Sequence, residues 1–388
     1  MGFIPTQTIR IMDFHHLLLL KILRKKGLRE IYAMMSLRTM AMSLISIFVP
    51  IYLYTLGYGI QAIILFFIVS SGTHILMCPL SAKISSSLGF KHGMLFSFPF
   101  YFIHYVMLSL LAGNGQLIYA AAVLFGVAQA MFWVPFHAFF STLTDGKKRG
   151  EEVALLDIFP SICAIIAPLI GGVIILLFGF GTLFVAGLAF LLAAALPLFV
   201  TKDIRMPFTL SLKADGFDRR VAASLVSYNT QLDATLWPIF IFTIVGSAVI
   251  IGGLVAFSVA LGFVIVWIVG RMCDRGYRRK FLRAGSIIQS GLWGMRALAS
   301  SFVHVVGLES VWRINSKFVD VPYNSAYYER ARRTRQKLAF SMLREMSIHA
   351  SIIGVFVLIY VFYSLIPTLS VIFLIAAIGP LFGMLIEK

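Results

Sequence analysis

The chain has 388 residues, of which 60% are hydrophobic and 13% are charged, and its mean hydropathy is +0.92. Soluble domains contain about 45–50% apolar and about 25% charged residues, so this composition excludes an ordinary soluble protein and indicates an integral membrane protein. The formal net charge of +17 would suggest nucleic-acid binding if the basic residues formed a patch. The basic residues lie mostly on one side of the predicted membrane helices instead, so we expect no nucleic-acid partner.

In chain order, the sequence begins with a basic amphipathic segment, residues 1–30, which we expect to lie on the cytoplasmic membrane surface. Twelve apolar stretches follow, each of about 20 residues, the length that crosses a hydrocarbon core of roughly 30 Å. They predict an all-α polytopic membrane protein with helices over residues 31–55, 60–82, 93–112, 116–140, 152–177, 180–200, 222–245, 248–269, 283–301, 303–327, 341–362 and 367–386. A charged linker, residues 201–221, divides them into two six-helix bundles, residues 31–200 and 222–388.

Lysine and arginine are distributed unevenly about the predicted helices. Of the 33 basic residues, 29 fall on the side that contains both chain termini, and Arg344 is counted among them. This positive-inside pattern predicts a multi-pass protein of the plasma or inner membrane with both termini in the cytoplasm. The other basic residues lie within predicted helices: Arg38, Arg296, Arg313 and Lys317.

An internal repeat relates the two groups of helices. VPIYLYTLG from Val49 resembles WPIFIFTIVG from Trp237, and VPFHAFFS from Val134 resembles VPYNSAYY, which begins 187 residues later. SSSLGFKH from Ser85 precedes MCDRGYRR from Met272 by the same interval. Because these matches share one register, they predict two structurally equivalent halves in parallel orientation.

This organisation resembles the major facilitator superfamily of transporters, which has two pseudo-symmetric six-helix bundles. The segment GRMCDRGYRRKF, residues 270–281, is similar to that family's loop signature, with one residue fewer before its second glycine. The resemblance implies a conformational latch, formed by Asp274, Arg275, Gly276, Arg278 and Arg279. In the first half serines replace the charged pair, so a charged latch is not expected there. The alternative, in which these arginines only orient the chain in the membrane, stays open.

The segment APLIGG, residues 167–172, resembles a proline and glycine pattern of the family's exporters. Pro168 can bend its helix, and Gly171 and Gly172 let a neighbouring helix approach closely. The pattern therefore favours export. The alternative, that both glycines serve packing alone, stays open.

The segment ESVWRINSKFVDVPYN carries charge inside a predicted membrane helix. At 100° per residue its polar positions fall within about 80° of one another, on one face. These positions are Glu309, Arg313, Lys317, Asp320 and Asn324. A charge at the bilayer centre costs roughly 2.5–3.5 kcal/mol on insertion scales, so such residues persist mainly where they meet partners or water. The resemblance implies that helices 1, 4, 7 and 10 line a central cavity, and this segment is helix 10.

We predict that Asp233, Glu309 and Arg313 form the central charge set of a site for substrate and protons. The residues expected to shape the site around it are Arg38, Gln129, Trp133, His137, Asn229, Lys317 and Asn324. A buried carboxylate that meets an arginine in one conformation and water in the other can load and release a proton. Such a group would couple a proton gradient to substrate movement.

Several alternatives stay open at this site. Asp233 and Arg313 are also suited to a permanent ion pair that locks the two halves. The side chains of Lys317, Asp320 and Arg38 lie toward the cytoplasmic ends of their helices and can reach water there. For Asp320, a gating role at the cytoplasmic mouth is expected.

Outside this site, three further observations concern ionisable residues. Arg296 lies on a helix that the resemblance makes peripheral, so we expect it to extend toward the lipid headgroups. His74 is expected to be a packing residue. Glu345 and His349, four residues apart, are a secondary candidate for a proton relay.

The sequence as a whole predicts a secondary active transporter that works by alternating access, with proton-coupled efflux of a small organic solute as the preferred function. An alternative is uptake of an anionic solute, because the intramembrane cations outweigh Asp233 and Glu309 if Asp320 stays at the mouth. A channel or a non-transporting receptor is the alternative of another class.

The sequence contains no HExxH, nucleophile elbow, P-loop or clustered metal ligands, and its three cysteines are widely spaced. We therefore predict no enzyme, catalytic residue, metal or cofactor. The expected partners of a monomeric chain are a small-molecule substrate, protons and the lipid bilayer.

Overall fold

The computed structural model describes residues 26–143, 149–227 and 230–387. Most of the predicted amphipathic segment, residues 1–25, and the predicted site residue Asn229 lie outside the described residues.

All regular secondary structure in the described ranges is helical. The α-helices are α1 (Lys26–Ile45), α2 (Phe48–Thr55), α3 (Ile60–Leu88), α4 (Phe90–Leu95), α5 (Ser97–Leu110), α6 (Leu117–Leu143), α7 (Arg149–Val200), α8 (Arg219–Ser224), α9 (Thr230–Val245), α10 (Ala248–Met272), α11 (Arg278–Arg296), α12 (Phe302–Arg333), α13 (Lys337–Leu365) and α14 (Leu369–Ala376). A π-helical turn, Cys273–Tyr277, joins α10 to α11, and 3₁₀ turns occupy Leu225–Ser227 and Gly379–Glu387.

Eight helical segments of the described chain are long and apolar enough to cross a membrane, judged by length and composition. Two of these contain 49 residues each and break at a glycine, at Gly179 within α7 and at Gly276 between α10 and α11. Helix α9 is not among the eight because it has only 16 residues, and α12 is not because it carries the charged stripe. Within the described residues each of the twelve predicted ranges is mainly helical, and the all-α fold class is confirmed, whereas the count of twelve membrane spans stays a prediction.

Glycines with a positive φ recur at matching positions of the two halves. Gly89 and Gly276, which are 187 residues apart, have φ angles of 106° and 93°. Gly57 and Gly246, the last residues of the first pair of matched segments, have φ angles of 86° and 67°. Only glycine adopts such angles without a steric penalty, so the repeated glycines produce repeated breaks between helices. Both halves therefore turn the chain at equivalent points.

Close packing of α7 against α10 forms one seam between the halves. A Cβ atom added to Gly172 would lie 2.6 Å from the carbonyl oxygen of Ala248, and one added to Gly252 would overlap the carbonyl oxygen of Pro168. Two helices approach this closely only where side chains are absent from the contact. Gly172 therefore packs between the halves, whereas Gly171 packs within the first half, against α1 and α2.

Helices α3 and α13 form a second seam between the halves. The rings of Phe67 and Phe356 stack with centroids 6.1 Å apart, and Gln61 donates a hydrogen bond of 2.8 Å to Ser364. Toward the opposite end of the bundle, Lys337 donates to the carbonyl oxygen of Ser141 at 3.3 Å. The halves thus contact each other toward both ends, and the space between these contacts holds the site.

Candidate functional site

Two adjoining cavities lie between the halves, with volumes of about 400 Å³ and about 330 Å³. Both are lined by Met35, Leu156, Asp157 and Asp320, so they form one continuous polar region. Of the predicted site residues, the first cavity is lined by Gln129, Trp133, His137 and Asn324, and the second by Asp233, Arg313 and Lys317. Arg38 and Glu309 line neither cavity, and they contact Gln129 and Arg313, which do.

Four charged side chains in the second half form a network of alternating sign, here called the Arg296 network. Arg296 Nη1 lies 2.8 Å from Asp233 Oδ1, and Arg296 Nη2 lies 3.1 Å from Glu309 Oε2. Arg313 completes it, with Nε 2.7 Å from Glu309 Oε1 and Nη2 3.9 Å from Asp233 Oδ2. Trp237 adds a hydrogen bond from its indole nitrogen to Glu309 Oε2 at 2.9 Å. The network is electrically neutral, so the cost of burying each charge is offset by its partners.

The prediction that Arg296 extends toward lipid is wrong. Its side chain is fully buried, with the guanidinium carbon 4.3, 4.5 and 4.1 Å from the ring centroids of Trp237, Trp293 and Trp312. Aromatic faces attract a cation, and the two carboxylates neutralise it, which together favour the inward orientation. The tryptophans three residues before Arg296 and three residues after Glu309 are the signal in the sequence that points to this cage.

An ion pair joins the two halves beside the cavities. Lys317 Nζ on α12 lies 2.6 Å from Asp157 Oδ2 on α7, and the Lys317 side chain is only 12% exposed. The lysine therefore contacts a carboxylate of the opposite half in this conformation. Since Asp157 lines both cavities, the pair is within reach of a solute there.

Two of the predicted charged site residues have no oppositely charged partner within 4.0 Å among the described residues: Asp320 and Arg38. Asp320 lies three residues after Lys317 and lines both cavities. The gating role expected for Asp320 at the cytoplasmic mouth stays a prediction. A carboxylate without a fixed cation is free to change its protonation state as its surroundings change.

Arg38 is held by neutral groups instead of a carboxylate. It donates hydrogen bonds to Tyr101 at 2.7 Å and to Gln129 at 3.1 Å. Its guanidinium carbon lies 4.0 Å from the ring centroid of Phe132 and 4.8 Å from that of Trp133. The side chain is only 5% exposed, so it does not extend into water here.

A second buried polar cluster, here called the histidine cluster, joins α3 and α6 to α12 and α13. His137 contacts Tyr328 at 2.7 Å through Nδ1 and Arg344 at 2.8 Å through Nε2, and Arg344 also pairs with Glu345. The remaining members are His74 and His349, whose rings stack with centroids 3.6 Å apart. Arg344, which the charge pattern placed in a cytoplasmic loop, is 4% exposed and lies two turns inside α13. Sequence reasoning connected only Glu345 and His349, because the other members come from different helices.

The predicted latch region is a sharp turn on the surface of the bundle. Gly276, with its positive φ, forms the π-helical turn, which contacts α7 of the other half. Arg278 pairs with Glu329 at 2.7 Å and also with Glu387, so it fastens elements of its own half. The side chains of Asp274, Arg275 and Arg279 are exposed.

The corresponding turn of the first half obtains its acidic group from the linker. Asp203 accepts a hydrogen bond from the backbone nitrogen of Lys91 at 3.1 Å, and its Oδ2 lies 2.5 Å from His92 Nδ1. Serines stand where the second half has its charged pair, and the linker thus supplies a carboxylate to this turn.

This fold, with its like halves and the polar cavities between them, defines a polytopic membrane transport protein. The sequence model of the Major Facilitator Superfamily matches residues 31–257, more than half of the chain. The chain therefore belongs to the Major Facilitator Superfamily, and it is a transporter and not an enzyme.

Solved structures of low sequence identity share the fold. The human organic anion transporter MFSD10 (TETRAN) is 14% identical with a TM-score of 0.70, over 94% of this chain and 99% of that one. The transporter FucP in its outward conformation is 16% identical with a TM-score of 0.63, over 92% and 97%. A bacterial homologue of the iron transporter ferroportin, outward-facing, is 14% identical with a TM-score of 0.63, over 92% and 98%. No curated protein sequence gives a significant match.

Proposed function

We propose that the protein exports a small organic solute in exchange for protons, and that Asp320 carries the coupling proton. The observation that carries this proposal is the position of Asp320, which lines both cavities without a cation partner in the described part of the chain. The Arg296 network, in contrast, compensates Asp233 and Glu309 within one half and suits a permanent structural role.

Lys317 provides a physical link between proton release and movement of the halves. In the conformation described it pairs with Asp157 of the opposite half, and it lies three residues before Asp320 on the same helix. Residues at this spacing face each other on a helix surface. When the halves separate at this level, Lys317 loses Asp157 and pairs with Asp320, which then releases its proton. Proton release is thereby tied to opening on one side.

Three features support an organic solute and the outward direction. The larger cavity combines the aromatic rings of Trp133 and Phe136 with polar His137 and Asn324, a mixture that suits small organic molecules. The exporter-like segment supplies Gly172, which allows α7 and α10 to close against each other. The positive-inside distribution supports a topology in which both termini, and the end of the bundle that contains Lys337, face the cytoplasm. In this proposal the chain works as a monomer.

The test begins with a ligand found by thermal stabilisation of the purified protein. In proteoliposomes, wild-type protein is expected to move this ligand when a pH gradient is imposed and also to catalyse saturable counterflow without a gradient. Asp320→Asn is expected to lose the gradient-driven flux and keep counterflow, because exchange needs no net proton movement. The control is Asp215→Asn, an exposed carboxylate of the linker. Gradient-driven flux through Asp320→Asn would overturn the role of Asp320, and its absence in wild type would overturn proton coupling.

A second candidate function, uptake of an anionic solute, is favoured by Arg38. It is a buried cation that the described residues do not neutralise, and its partners Gln129 and Trp133 line the larger cavity. An anion in that cavity would supply the missing charge. The test is whether the ligand screen finds anions that bind more weakly to Arg38→Gln than to wild type. If the wild type also moves these anions inward, uptake of an anionic solute replaces export as the proposed function.

A further inference from the structure

The part of the histidine cluster nearest the seam has three potential metal ligands. His74 belongs to α3 of the first half, and Glu345 and His349 belong to α13 of the second. One ligand atom from each of the three lies within 4.8 Å of the other two. The group therefore forms across the boundary between the halves.

The ring nitrogens of these histidines are unusual for buried polar atoms. His74 is fully buried, and neither of its nitrogens makes a hydrogen bond of good geometry, although Nε2 lies 3.4 Å from a Glu345 oxygen. Nδ1 of His349 also has none. More than 90% of buried polar groups are hydrogen-bonded, so several unsatisfied atoms facing one another indicate a missing partner.

The distance between His74 and Glu345 suits two ligands of one small cation. His74 Nε2 lies 3.4 Å from Glu345 Oε2, too long and too poorly oriented for a good hydrogen bond. A tetrahedral metal bound at about 2.1 Å holds neighbouring ligand atoms about 3.4 Å apart. The second oxygen of Glu345 faces Arg344, which His137 contacts in turn, so the carboxylate is oriented with Oε2 toward His74.

We propose that His74, Glu345 and His349 bind one divalent transition-metal ion at the seam between the halves. Two imidazoles and one carboxylate suit Zn²⁺, Fe²⁺, Mn²⁺ or Co²⁺. Glu345 and His349 line the larger cavity, which gives the ion a route of entry and a place for a bound water. Arg344 and His137 act as outer partners that orient the carboxylate.

Because the ligands come from both halves, the bound ion holds α3 against α13. It thus stabilises the conformation in which this seam is closed and opposes the separation that alternating access requires. This is a regulatory site, and it does not depend on the role proposed for Asp320.

The test uses full-length protein without a polyhistidine tag, so that the tag adds no metal site. Zn²⁺ is expected to raise the melting temperature of wild type, and dialysis against Co²⁺ is expected to leave about one ion per chain. In His74→Ala, His349→Ala and Glu345→Gln the affinity is expected to fall at least about 10-fold. His304→Ala, which removes an exposed histidine, is the matched control and is expected to behave as wild type.

Each variant is compared with its own metal-free melting temperature, so that a change in stability is separated from a change in binding. Hydrogen exchange gives an independent readout: Zn²⁺ is expected to slow exchange in α3 and α13 of wild type, and not in His349→Gln. Absence of a Zn²⁺ effect on wild type would overturn the proposal. Equal Zn²⁺ effects in wild type and in the His74 and His349 variants would also overturn it, because they would place the ion elsewhere.

Discussion

Arg296 Nη1 lies 2.8 Å from Asp233 Oδ1, and this contact connects α11 to α9 inside the second half. The arginine is fully buried among three tryptophans, so it has no route to water or to lipid headgroups. It contacts both carboxylates of the network, so its loss leaves one uncompensated negative charge among buried groups.

Replacement of Arg296 by methionine tests this dependence. The substitution preserves much of the side-chain volume and leaves Asp233 and Glu309 with Arg313 as their remaining cation. Removing one partner of a buried ion pair costs about 3–5 kcal/mol, so we expect a large drop in the melting temperature of the purified protein. Arg296→Lys retains the charge and loses the planar group that stacks on tryptophan. Its melting temperature is therefore expected to lie between those of wild type and Arg296→Met.

Arg283→Met on the same helix provides the comparison, because Arg283 is exposed. Its melting temperature is expected to stay close to wild type. If Arg296→Met were as stable as Arg283→Met, the Arg296 network would not contribute to stability as described.

The ion pair between Lys317 and Asp157 predicts a measurable coupling between the halves. A double-mutant cycle with Lys317→Met and Asp157→Asn is expected to give a coupling energy of about 1 kcal/mol, since the pair is partly buried and Asp157 is 33% exposed. The measurement is the stability of wild type, both single variants and the double variant under one detergent condition. Additive losses would show that the two side chains do not interact in the population sampled.

Arg278 and Arg279 are adjacent but differ in their contacts, which allows a matched comparison. Arg278 pairs with Glu329 and with Glu387 of the C-terminal 3₁₀ turn, whereas Arg279 is exposed. In Arg278→Ala we expect faster hydrogen exchange across the Gly379–Glu387 turn, because its anchoring ion pair is lost. Arg279→Ala is expected to leave exchange there unchanged. Equal exchange in both variants would contradict a fastening role for Arg278.

The helices and their repetition could be predicted from the sequence because both depend on local patterns. Apolar length predicted ranges that are mainly helical in the described residues, and the glycines at positions 89 and 276, predicted to be equivalent, both have a positive φ. The shared face of the charged stripe also follows from helical spacing alone, and its members line the two cavities or contact residues that do.

Contacts between side chains of different helices could not be predicted in this way. Arg296 was assigned to lipid because its helix is peripheral in the family, yet packing turns its side chain toward Asp233 and Glu309. His74 and His349 are 275 residues apart in the sequence, and only the seam between α3 and α13 brings their rings together. The residue pattern within either helix contains no signal for this contact.

Two neighbouring glycines of α10 test whether close approach of α7 stabilises the closed seam. A Cβ atom at Gly252 would overlap the carbonyl oxygen of Pro168, which is backbone and cannot move without shifting the helix. A Cβ atom at Gly253 would lie 3.9 Å from Leu169, an ordinary contact. We therefore expect Gly252→Ala to destabilise the protein by about 1–3 kcal/mol, as overpacking does. Gly253→Ala is expected to be neutral or to gain up to about 1 kcal/mol from helix propensity. The two variants have the same composition and lie one residue apart, so a difference in their melting temperatures reports the contact with α7. Equal melting temperatures would show that α7 does not pack closely against α10 at Gly252.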